Sequence, residues 1–138
     1  MERIVLDTNC LILCLPEKSP YHQVWQSFLK GTYQLCVSNE ILMEYAEIIG
    51  RFWGSEIVDY VMKIIDVCDH TLHYTPCFKF GLIAADPDDN KFVDCAIAAN
   101  ARFIVTEDKH FEALKEVDFP RVDIIGIDAF IKQLDERS

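Results

Sequence analysis

Near the amino terminus Ile4-Val5-Leu6 runs straight into Asp7-Thr8-Asn9. An apolar run of branched residues, too short for a helix, reads as a strand buried on both faces of a parallel sheet. Asp7 then stands at the carboxyl end of that strand, the edge where open α/β sheets bind ligands. Thr8 and Asn9 beside it are candidate partners of the carboxylate or of a phosphate oxygen. Every later acid is therefore judged by whether it can reach the same point.

The remaining chain alternates strands and helices. Cys10 to Leu15 reads as a short helix or turn ended by Pro16, and Tyr21 to Lys30 as an amphipathic helix closed by Gly31. Tyr33 to Val37 is a second strand. Ser38 caps a helix from Asn39 to about Ile49, with Gly50 as its expected end. On that helix Ile41, Leu42, Tyr45, Ile48 and Ile49 form the apolar arc. Glu44 lies at the edge of the arc, and Glu40 and Glu47 face solvent. Ser55 to Cys68 is a further amphipathic helix and Thr71 to Tyr74 a short strand. The segment from Pro76 to Ala85 has mixed signals and receives no assignment. The turn Asp86-Pro87-Asp88-Asp89 leads into an apolar helix that Asp88 or Asp89 would cap, its polar arc carrying Asn90, Lys91 and Asp94. Phe103 to Thr106 is a strand with Glu107-Asp108 at its end, Lys109 to Lys115 a short helix, Val122 to Ile127 a last strand, and Asp128 the cap of a helix through Leu134. This order predicts an α/β fold, a three-layer α/β/α sandwich with a mostly parallel central sheet. At 138 residues, half of them hydrophobic, one domain over 1–138 accounts for the chain.

A formal charge of -10 excludes a protein that holds nucleic acid chiefly by a basic surface. Phosphate chemistry here must lean on bound cations or a local basic patch. Six cysteines, several inside apolar runs, with no signal peptide, fit buried free thiols in a reducing cytoplasm better than a disulfide framework. Cys68, His70, His73 and Cys77 have the residue types of a zinc site, but their spacing matches no common finger and a strand would point neighbours to opposite faces. No stretch approaches the ~20 apolar residues of a membrane span.

Asp7 and Asp108 thus arrive at one sheet edge, with Glu44, Asp89 and Asp94 on helices nearby. Carboxylates gathered without matching cations repel one another and rise in pKa unless a metal joins them. Oxygen-only ligands select Mg²⁺ or Mn²⁺, ions that activate water for attack on a phosphodiester. Taken singly, Asp89 has a plain reading as a cap, Asp94 as a solvated helix residue and Asp108 as a turn former; His110, close to Asp108, is a candidate base whose plain reading is a surface histidine. Lys91 and Lys109 are candidate phosphate contacts or partners of the acids.

Leu6-Asp7-Thr8-Asn9, Ser38-x-Glu40-Ile41-Leu42-x-Glu44-Tyr45, Asp86-Pro87-Asp88-Asp89-Asn90-Lys91-Phe92 and Ile104-Val105-Thr106-Glu107-Asp108-Lys109, in that order, resemble a PIN domain, above all the single-domain toxins of type II toxin-antitoxin systems. The resemblance spans Val5 to about Ile127. It implies a Mg²⁺- or Mn²⁺-dependent ribonuclease in which Asp7 matches the first acid, Glu44 the second and Asp108 the fourth. Asp89, at the helix start, and Asp94, in an Asp-x-x-Ile-Ala-Ala pattern, both match the third. Thr8, Asn9 and Thr106 would support the carboxylates or a phosphate oxygen. The resemblance further implies an RNA substrate, a cognate antitoxin and a homodimer. Glu107 stands where the family often has Gly. An antitoxin groove could involve Trp25, Tyr45, Trp53 and Tyr60. Against a receiver domain stands the absence of an acid at Val37-Ser38, and against a haloacid-dehalogenase-like phosphatase stands Asn9 in place of a second Asp. A PIN scaffold without catalysis, binding protein or RNA, is the alternative from another class.

Overall fold

A computed structural model describes residues 1–84 and 86–137. Ala85, the end of the segment left without assignment, and Ser138 lie outside the described residues.

The strands are β1 (Glu2–Leu6), β2 (Tyr33–Val37), β3 (Thr71–His73), β4 (Phe103–Val105) and β5 (Ile124–Ile125). They form one sheet in the order β3-β2-β1-β4-β5, and every pairing is parallel. β1 is central, and Ile4, Val5 and Leu6 are buried as a two-sided strand requires. From β1 the chain builds outward through α1 (Thr8–Cys14) and α2 (His22–Lys30) to β2, then through α3 (Asn39–Trp53) and α4 (Ser55–Val67) to β3. It returns across the sheet by α5 (Asn90–Ala99) to β4 and ends, after β5, in α6 (Ile127–Arg137). Because parallel crossovers are right-handed, the reversal of direction puts α5 on the face opposite the earlier crossovers, which makes three layers. It also opens a crevice at the carboxyl ends of β1 and β4, the switch point of the sheet.

The core is apolar and aromatic. Phe28, Tyr33 and Phe130 stack with ring centroids 6.3 and 5.2 Å apart, and the buried Tyr33 hydroxyl donates to Val24 O at 2.7 Å. Tyr45, also buried, donates its hydroxyl to Leu6 O at 2.6 Å, which fixes α3 against the end of β1. Burial holds both phenols well above their usual pKa. All six cysteines are free.

Four expectations are corrected. Gly50 does not end α3, which runs to Trp53 and stops at Gly54, whose φ is +87°. Gly50 instead faces α4, where a Cβ would sit 3.4 Å from Val58 Cγ2, so its missing side chain serves a helix contact. The last strand is only Ile124–Ile125. α6 begins at Ile127, one residue before the expected cap Asp128, and the Ile127 N–H donates to Glu107 Oε1 at 2.8 Å. Glu107 thus caps a helix, a carboxylate at the positive end of a dipole. Finally, Asp86 caps the 3₁₀ turn Pro87–Asp89 through the Asp88 N–H, and the Asp89 side chain makes no capping bond. The segment 109–116 is also 3₁₀ in character, capped by Asp108 Oδ1 on His110 N.

Gly31 ends α2 with a φ of +82°, and a Cβ there would lie 2.5 Å from the His70 ring. Gly31→Ala is expected to lower the urea midpoint by an amount equivalent to about 2 kcal/mol, from the left-handed backbone and the displaced imidazole together. An unchanged midpoint would show that the ring yields without cost.

Candidate active site

Asp7 follows β1 directly. Its N–H donates to Val105 O at 3.0 Å, which welds the two strand ends, and its carbonyl accepts from Cys10 and Leu11 as α1 starts. The side chain makes no cap bond to α1 and is free to face the crevice, although the residue is only 6% exposed. Thr106, at the end of β4, donates its hydroxyl to Asp7 Oδ2 at 2.8 Å and accepts from the Asp108 N–H at 3.0 Å. One threonine therefore ties the acids of two strands together. Thr8 donates its hydroxyl to Glu44 Oε2, and Lys91 Nζ lies 2.8 Å from Glu44 Oε1, so the α3 acid is held from both sides. Asn9 is exposed.

Asp89, the residue before α5, is buried. Its Oδ2 makes no hydrogen bond among the described residues, and His110 Nδ1 stands 3.5 Å from it. The same nitrogen is 3.4 Å from Asp108 Oδ1 and 3.9 Å from Asp86 Oδ2. Asp86, Asp89 and His110 are the one group of potential metal ligands among the described residues whose donor atoms all lie within 4.8 Å of one another. The sequence gives Asp86 no role beyond its turn, and His110 only the alternatives of a base or a surface histidine. The signal available was the Asp86-Pro87 turn, which folds Asp86 back, and the two-residue spacing from Asp108 to His110.

The electrostatics follow from this crowding. Burial, with the Asp108 and Glu44 charges added, pushes Asp7 up to about 6 against the Thr106 and Thr8 hydrogen bonds. Burial, then Asp108, Asp86 and Asp7, push Asp89 up to about 7, with His110 opposing. Asp94 is also raised, by burial, but the charges acting on it are Glu40 and Lys79, and its Oδ1 accepts from the Phe80 N–H at 3.1 Å. The Asp108 charge bears on both Asp7 and Asp89, and the Glu44 charge on Asp7, but among the described residues Asp7 and Asp108 do not join the close group of Asp86, Asp89 and His110; Asp94 has different neighbours. Among the described residues Cys68, His70, His73 and Cys77 do not gather into a group of metal ligands, and the His70 ring lies against Gly31.

The model of the PIN domain family matches residues 3–110. The chain belongs to the PIN domain family. Curated proteins give no match. Solved structures that resemble this PIN domain include VapBC2 from Rickettsia felis bound to a DNA fragment from their promoter, at 16% identity and a TM-score of 0.63, covering 90% of this chain and 98% of that one. Another is DNA-bound VapBC from Salmonella typhimurium, at 22% identity and a TM-score of 0.64, covering 92% and 99%. At such identities the likeness concerns the fold, an α/β sandwich whose sheet edge carries the acids described here.

Away from the acids, Leu15, Pro16, Trp25, Trp53, Ile57 and Tyr60 line an apolar groove of about 240 Å³. Tyr45 is not part of it, being fully buried against β1. No helix is long and apolar enough to cross a membrane among the described residues.

Proposed function

We propose that this PIN domain is a divalent-metal-dependent endoribonuclease and the toxin of a toxin-antitoxin pair. The observation that carries the reading is the buried Asp89 Oδ2 without a hydrogen bond, beside Asp7 and Asp108 on the switch-point crevice. With His110 Nδ1 at 3.5 Å in place of a hydrogen bond, this buried oxygen leaves free energy that a cation would recover. The donors are oxygens, with one imidazole at the rim, and suit Mg²⁺ or Mn²⁺. Asp7, Asp89 and Asp108 would hold the ion, with Asp86 and His110 beside Asp89. A bound ion supplies Lewis acidity and lowers the pKa of water.

The chain's own groups do the rest. Thr106 fixes the Asp7 carboxylate and the Asp108 backbone in one register. Glu44, clamped by Thr8 and Lys91, orients the attacking water. Asn9, exposed at the start of α1, is a contact for a phosphate oxygen. The apolar groove around Trp53 and Tyr60 is the surface assigned to a cognate antitoxin, and a homodimer would bring more lysines and arginines around the crevice. A reducing cytoplasm suits the six free thiols.

Purified protein is expected to cut an end-labelled structured RNA with Mg²⁺ or Mn²⁺ and not with EDTA, and Asp108→Asn from the same preparation to be inactive. Equal inertness of both proteins on several RNAs, with no Mn²⁺ binding, would favour the non-catalytic scaffold.

A further inference from the structure

Asn90 and Asp94 lie one turn apart on α5 and both turn their side chains to the irregular segment before it. Asn90 Oδ1 accepts from the Ile83 N–H at 2.8 Å while its Nδ2 donates to Ile83 O at 2.9 Å, a two-point clamp on one residue. Asp94 Oδ1 accepts from the Phe80 N–H. Backbone groups outside strands and helices need such partners, and here two side chains of one helix supply three bonds. The Ile83 side chain is 1% exposed and anchors the segment in the core, whereas Lys79 and Phe80 stay at the surface.

What the segment carries is Lys79. With Lys91, Glu40 and Asp94 it lines two hollows of about 170 and 250 Å³, the second also lined by Asp88. Lys91 belongs at once to these hollows and, through Glu44, to the acidic site. Two lysines beside the site are where a chain of charge -10 can meet a phosphate, since ammonium groups hold phosphates as point charges.

We infer that Asn90 and Asp94 form a clip that holds Lys79 opposite Lys91, and that the cleft so formed takes a phosphate of the RNA strand next to the one cleaved. Asp94 is thereby a positioning residue and not an ion ligand. The inference rests on the ribonuclease reading for the strand and on geometry alone for the clip.

Asn keeps an oxygen that can accept from Phe80 N–H, and Ala does not, so the two substitutions at Asp94 separate acceptor from charge. In Asp94→Ala, amide exchange over residues 76–84 is expected to be about tenfold faster, and Asp94→Asn to restore most of that protection. KM for RNA should rise about fivefold in Asp94→Ala and in Lys79→Ala with kcat little moved, and Asp94→Asn should recover KM. Mn²⁺ affinity, titrated directly, should change less than about twofold in Asp94→Asn and fall more than about tenfold in Asp89→Asn. An Asp94→Asn protein that loses Mn²⁺ affinity as Asp89→Asn does, or exchange over 76–84 that is the same in all variants, overturns the clip. If the wild type cuts no RNA, the enzyme reading fails by itself. The clip is then judged by exchange, and the cleft by whether Lys79→Ala weakens binding of a single-stranded oligoribonucleotide in EDTA; unchanged binding overturns it.

Discussion

Asp7→Asn is expected to abolish RNA cleavage while raising the melting temperature of the metal-free protein. The two effects have one cause. Asp7 is buried, and the neighbouring Asp108 and Glu44 charges oppose its ionisation, so at neutral pH the folded chain carries a carboxylate pushed up to about 6. Replacing it by an amide removes a desolvated charge and keeps an oxygen for the Thr106 hydroxyl. A gain on the order of 2 kcal/mol at pH 8 corresponds to a rise of several degrees for a domain of this size. The loss of activity should exceed the ~100-fold that removal of a mere supporting partner of a metal ligand costs. Scanning calorimetry and the cleavage assay on one preparation give both answers. A variant that loses activity and melts lower would assign Asp7 to the fold and not to the chemistry.

Without metal, stability is expected to fall as pH rises from about 4 to about 7. In the folded state Asp7 titrates near 6 and Asp89 near 7, both above the ordinary 3.8. A raised carboxylate favours folding below its unfolded pKa, and that contribution is lost as pH climbs through the folded pKa. Asp7 alone accounts for on the order of 3 kcal/mol, and Asp89 acts in the same direction. Mn²⁺ competes with those protons, so its stabilisation should grow over the same window. At a hundred times its Kd it would restore about 2.7 kcal/mol at pH 8 and little at pH 5. Melting curves with and without Mn²⁺ across pH 4 to 8 test this. A metal-free stability that rises over that range would contradict the buried-acid cluster.

The layout of the sheet was legible because its signals are local. Ile4-Val5-Leu6 and Phe103-Ile104-Val105 are short apolar runs ending in acids, and parallel strands place such ends together. Asp89 and Asp94 could not be separated by pattern. The Asp-x-x-Ile-Ala-Ala match favours Asp94, yet five residues turn a helix about 140° beyond a full circle, so the two acids cannot share a face. In the structure Asp89 ends the 3₁₀ turn Pro87–Asp89 before α5, while Asp94 within α5 accepts from the Phe80 N–H. His110 is at the surface, as its sequence context suggests, and what the sequence hides is that three acids from two separate segments come within 3.9 Å of its ring. Gly50 misled for a related reason: glycine marks both helix ends and close helix contacts, and only the packing of α4 distinguishes them. Glu107, which by sequence adds charge near the site, spends its carboxylate on the start of α6.

The threonine bridge between Asp7 and Asp108 has a bearing on synthesis. Thr106 and Asp7 are 99 residues apart in the chain, and β1 meets β4 only after everything between them has been made. A nascent chain that has released β1, β2 and β3 from the ribosome holds Asp7 and Glu44 but has neither Thr106 to fix Asp7 nor Asp108 beside it. Thr106 and Asp108 therefore join these acids only once β4 has been made, and a prematurely terminated product lacking Phe103 onward carries Asp7, Glu44 and Asp89 without the threonine that ties Asp7 to Asp108.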